Sequence, residues 1–77
     1  MDMKSLLEIP AHTTVKIVNV SGGKRSRQML TQMGISIGSL IKIKRNAPFA
    51  GPLLIDNHGA AVAIGRGVAA RIMVEEI

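Results

Sequence analysis

Two stretches of this chain carry residue types that could hold a phosphate. SGGKRS, residues 21–26, sets Lys24 and Arg25 just after two glycines, as a phosphate-binding loop ends. That loop requires G-x-x-x-x-G-K-[ST], so that backbone N–H groups cradle the phosphates and a hydroxyl reaches magnesium. Here Asn19, Val20 and Ser21 precede the glycines and Arg25 stands at the hydroxyl position, so the magnesium ligand is missing. GRGVAA, residues 65–70, opens like a dinucleotide fingerprint but lacks the third glycine and the surrounding strand–helix–strand unit. Both stretches read as turns.

The other reactive side chains do not converge. His12 and His58 are the best nitrogen ligands for a metal, but each stands without a partner at i, i+3 or i, i+4. Stable sites gather three or four ligands. Met29 and Met33, four apart, suit core packing on a helix better than soft-metal ligation. Among the acids, Asp2, Glu8, Asp56, Glu75 and Glu76, the last two are neighbours in an extended segment and diverge. With no cysteine and no histidine set beside a nucleophile, no catalytic constellation can be named. The expectation is a protein that is not an enzyme, with no cofactor and no metal site.

The cations are the remaining chemistry. Lys24, Arg25 and Arg27 open a helical stretch where the macrodipole is already positive, and each opposes it by a few tenths of a kcal/mol. An acidic partner would offset that penalty, and a solvated face explains the same residues equally well. Lys42, Lys44 and Arg45 follow and are candidates to extend the surface. The formal charge of +5 favours anionic or acidic partners. Phe49 is the sole aromatic, which removes the aromatic-lined groove of proline-peptide binders and the stacking platform of single-strand binders.

Seventy-seven residues make one domain, residues 1–77, with a thin core. No apolar run approaches a membrane span, and MDMKSLLEIP lacks an export signal, so a cytoplasmic location is expected. Residues 14–21, TVKIVNVS, alternate as a strand, with Val15 and Ile17 opposite Lys16. Gly22-Gly23 interrupts. Lys24 to Met33 then predicts a three-turn helix with Met29, Leu30 and Met33 on one stripe and Gly34 as a left-handed cap. SLIKIKRN, residues 39–46, is a second strand. LLID and AAVAI flank NHG, where Asn and Gly tolerate positive φ in a hairpin turn. GRGVAA gives a tight connection with one helical turn, and RIMVEE closes the chain as a fifth strand. Connections this short require antiparallel pairing, and closing five strands into a small barrel removes exposed edges.

The order of these elements resembles the FeoA family, small accessory proteins of ferrous iron uptake. SRQMLTQMGISIGSLIKIKRNAPFAGPLLI and AAVAIGRGVAARIMV carry the resemblance, through Arg27, Leu30, Gly34, Gly38, Ala47-Pro48, Gly51-Pro52, Ala63-Ile64 and Ile72-x-Val74. It covers the chain from about Leu6. Ile37 stands where the family often has proline, Met33 replaces leucine, and PFAGP replaces the commoner loop that contains an acid. The resemblance implies an SH3-like β-barrel and a partner, FeoB, the permease with a cytosolic GTP-binding domain. The candidate docking surface is Lys24, Arg25, Arg27, Lys42, Lys44 and Arg45, with Phe49 as an apolar anchor or a plug for the barrel end.

Two alternatives remain. The fold would also suit the C-terminal regulatory domain of iron-dependent repressors, although a chain opening at Met1 has no helix-turn-helix before it. Charge-driven nucleic-acid binding would weaken steeply with salt. Against it stand the five acids and the near-absence of aromatics.

Overall fold

The alternation of β-branched and polar residues becomes a six-stranded antiparallel sheet with two helices in the computed structural model, which describes residues 3–46 and 51–77. The strands are β1 (Lys4–Ser5), β2 (Thr14–Val20), β3 (Leu40–Asn46), β4 (Leu53–Asn57), β5 (Ala60–Ile64) and β6 (Ile72–Glu76). Helix α1 (Gly23–Gln32) lies between β2 and β3, and α2 (Arg66–Ala69) is a single turn before β6. Their order across the sheet is β1-β6-β2-β3-β4-β5, with every pair antiparallel. This is the mainly β, SH3-like arrangement that the sequence suggests, with one addition and one difference. The addition is β1 with the 3₁₀ turn Leu6–Glu8, too short to announce itself by periodicity. The difference is that the barrel does not close. β1 pairs only with β6 for two residues before the chain turns away, so it supplies no ladder to β5, and both edges stay open.

The core is built almost wholly of branched aliphatics. Val15, Ile17, Ile41, Ile43, Leu53, Ile55, Ile64, Ile72 and Val74 come from the strands, joined by Leu6, Ile9, Leu30, Ile35 and Ala69. Period-two alternation holds in β2 through Val15 and Ile17, then slips so that Val20 is the next buried residue. A bulge between Ile17 and Asn19 absorbs the extra step and keeps Val20 facing inward. A second irregularity, between Ile43 and Arg45, re-aims the end of β3 and brings Asn46 opposite Leu53.

On α1 the expected stripe is narrower than the sequence suggests. Leu30 is buried and Met33 packs partly against the core, but Met29 is 40% exposed. Ser26, one turn before Leu30, takes the inward position instead, because the helix presents the 26–30–33 face to the sheet. Gly34 does cap the helix, at φ 79°. The Gly34 N–H bonds the Thr31 carbonyl and the Ile35 N–H bonds the Leu30 carbonyl, each at 2.9 Å, which is a Schellman motif.

The β4–β5 hairpin turns on His58 and Gly59, with Asn57 paired to Ala60. Both turn residues have positive φ, 53° and 89°, so the turn is type I′ and the histidine occupies the left-handed position expected of Asn57. Histidine tolerates that region less well than asparagine. His58→Asn is therefore expected to raise stability by about 0.5 kcal/mol, read as an upward shift in Tm.

Candidate functional site

The end of α1 and the chain leaving it build a concavity among the described residues. The Schellman motif folds Ile35 back onto Leu30, the apolar contact that accompanies such caps. Together with Val20 of β2 these two side chains form the floor of a groove of about 290 Å³. Arg27, Thr31, Ser36 and Ile37 line its rim. The rim is held by local bonds: the Thr31 hydroxyl donates to the Arg27 carbonyl at 2.9 Å, and the Ser36 N–H donates to the Ser39 hydroxyl at 3.0 Å. Beyond it, Gly38 donates to the Ile17 carbonyl at 2.7 Å and accordingly ties the 34–39 connection to β2. Ile37 is left 54% exposed at the rim. An apolar floor with a cationic and an apolar rim residue suits a partner side chain that is apolar, flanked by an acid.

At the other end of α1, Gly22 (φ 95°) starts the helix without a side-chain cap. The positive φ favours glycine there, and a Cβ would lie 2.7 Å from the Ser26 hydroxyl and 2.9 Å from Arg71 Cδ, so another residue would also have to displace those side chains. Arg71 crosses to this corner from the start of β6. Its guanidinium donates to the Ser26 hydroxyl at 3.5 Å, and its carbonyl accepts from the Ser21 N–H at 2.8 Å.

The sequence-derived cations fall into two groups. Lys24, Arg25 and Arg27 are exposed on α1, and only Arg27 reaches the groove. Lys42 and Lys44 line a separate, smaller concavity of about 170 Å³ with His12 and Asp56. Arg45 is exposed after the β3 irregularity, opposite Leu54. Phe49 lies outside the described residues. Three members of the α1 corner escaped the sequence reading. Ile37 was legible only as a departure from the family's proline, Ile35 as an isolated apolar residue after a glycine. Arg71 carried no local signal, because its place beside Ser26 is set by the sheet order.

The comparisons with known proteins agree with this architecture. The FeoA domain family matches residues 4–76. A Methanocaldococcus jannaschii protein described as "Putative Fe(2+) transport protein A" is 44% identical over 62 residues, 80% of this chain and 73% of that one. The crystal structure of an iron uptake regulatory protein (FeoA) superposes with a TM-score of 0.88 at 32% identity, over the whole of both chains. A manganese-dependent transcriptional repressor in complex with manganese reaches a TM-score of 0.90 at 22% identity, over all of this chain and 38% of that one. That last likeness is one of fold.

Proposed function

Because the chain belongs to the FeoA family, we propose that it is a small non-enzymatic accessory protein of ferrous iron transport that docks through α1 on the cytosolic part of FeoB. The observation that carries this reading is the groove over Val20, Leu30 and Ile35, with Arg27 and Ile37 at its rim. Its floor is supplied by buried residues of a hydrogen-bonded helix cap, so little ordering is required on binding. The exposed Lys24 and Arg25 add a positive field on the same helix, which steers an acidic partner and raises the association rate. In this reading the protein acts at the cytoplasmic face of the membrane. Lys42, Lys44 and Arg45 form a second cationic surface on β3, and Phe49, outside the described residues, remains a candidate apolar contact.

Binding of the purified chain to the cytosolic FeoB domain, in its nucleotide-free, GDP and GTP forms, tests the proposal. Arg27→Glu is expected to weaken binding by about tenfold, mostly through the association rate, and to reduce its salt dependence. Ile37→Ser is expected to weaken it by a similar factor, through faster dissociation. Both side chains are exposed, so both variants keep the parent stability. Absence of binding in every nucleotide state defeats the proposal, as does binding that neither substitution alters.

A further inference from the structure

The two open edges of the sheet are not equivalent. β1 is blunted by being two residues long, one of the usual protections of an edge strand. β5 has no such protection. It runs for five residues, Ala60-Ala61-Val62-Ala63-Ile64, with no charge, no proline and no bulge against β4. Ala60, Ala61 and Ala63 are exposed, and among the described elements β4 is its only extensive neighbour.

The hairpin register says which backbone groups point outward. In a two-residue hairpin the closing pair, here Asn57 and Ala60, is hydrogen-bonded, and bonded and non-bonded pairs then alternate. Val62 and Ile64 therefore direct their N–H and C=O groups at β4, while Ala61 and Ala63 direct theirs away from the sheet. Among the described residues, no hydrogen bond outside the β4 ladder reaches either alanine.

We infer that β5 is a homodimerisation edge, pairing antiparallel with β5 of a second copy about a two-fold axis at Val62. In that register Ala61 faces Ala63 of the second copy and the reverse, so the two outward donors and two outward acceptors of each chain are all used. Neighbouring registers are poorer. Centring on Ala61 sets Ala63 against Gly59, which is in the left-handed turn, and centring on Ala63 sets Ala61 against Gly65, beyond the strand. The neutrality of the seam selects this occupant. β5 offers nothing for a charged partner to recognise, whereas methyl side chains and a symmetric Ala-Val-Ala segment suit close approach of identical strands. Each copy carries +5, so long-range repulsion opposes the pairing and added salt strengthens it. Docking of an acidic partner on α1 has the opposite salt dependence.

Sedimentation equilibrium of the full chain from micromolar to millimolar concentration, with amide exchange by NMR, tests the inference. The average mass is expected to rise from 8.2 kDa toward twice that value, more completely at high salt. The Ala61 and Ala63 amides are expected to gain protection with concentration, while Val62 and Ile64 are protected throughout. Ala61→Lys with Ala63→Lys places like charges directly opposite across the seam and is expected to weaken association by about tenfold or more. Ala61→Lys with Ala63→Glu places opposite charges there and restores it. A monomeric mass at millimolar concentration overturns the inference. So does a dimer in which the Ala61 and Ala63 amides exchange unchanged, or one in which the two double variants associate equally. The exchange measurement uses the unsubstituted chain and so decides the matter even if a variant misfolds.

Discussion

Leu30→Ala is expected to lower the unfolding free energy by about 2–4 kcal/mol, the largest effect of any single truncation on α1. Leu30 is 1% exposed and is the one fully buried apolar side chain that the helix contributes. A domain of this size has a total stability of roughly 4–12 kcal/mol, so the loss is a large fraction of the whole. The substitution also removes the side chain against which Ile35 folds at the cap, and with it the floor of the groove. Urea denaturation should show a lower midpoint with an unchanged slope. Amide exchange should show α1 losing protection ahead of the central strands, because Ser26 and the partly packed Met33 replace little of the lost apolar contact. Met29→Ala is the internal control. That side chain is 40% exposed, and its loss should change stability by less than about 0.5 kcal/mol. Equal effects at the two positions would contradict the packing described for α1.

Asn46→Asp is expected to destabilise the protein by about 2–3 kcal/mol, although it changes one atom of the side chain. The Asn46 amide nitrogen donates to the carbonyls of Leu7 at 2.9 Å and Ile9 at 3.2 Å. These two bonds join the end of β3 to the 3₁₀ turn and the chain after it. Leu6 and Ile9, buried in the core, enter it from this segment. A carboxylate has no donor to offer and would set negative oxygen against two carbonyl oxygens. Asn46→Ala removes the bonds without adding repulsion and should lower stability by about 1–2 kcal/mol. The order of the two variants is the informative result, since a role in packing alone would make alanine the worse of the pair. Chemical denaturation of both, with the parent chain alongside, checks it.

The docking proposal and the first of these stability effects meet at Leu30. Its side chain serves the core and its position under Arg27 and Ile37 serves the groove, so truncation there should weaken partner binding through lost helix order. Arg27 and Ile37 are the cleaner probes of recognition, because the fold does not use them. Gly22 has a different role: it admits Arg71 to the helix start, where the arginine braces Ser26. The start of α1 is therefore braced by a residue distant in sequence.

Most of the fold could be read from residue order. β2 and β3 declare themselves by alternation of branched and polar residues, and the helix ends at Gly34 because a left-handed cap is needed there. The hairpin was legible in NHG, although the left-handed position fell to His58 rather than Asn57. Family membership was legible too, in the spacing from Arg27 to Val74. These features are local, or are sums of local choices, and short-range sterics and hydrophobic periodicity are written into neighbouring residues.

What depended on distant contacts could not be read in this way. Met29 was placed on the core stripe by its spacing, but the angle at which α1 lies on the sheet turned Ser26 inward and Met29 out. The groove needs Val20 from β2 beside Leu30 and Ile35, and Arg71 needs β6 beside β2; both follow from sheet order. The six cations looked like one surface in the sequence, but only Arg27 lines the α1 groove and only Lys42 and Lys44 the second concavity, because β3 carries those two to His12 and Asp56. Closure of the barrel was the reasonable inference from five short strands. The two-residue β1 decided otherwise, since an edge is paired only if another strand is long enough and near enough to reach it.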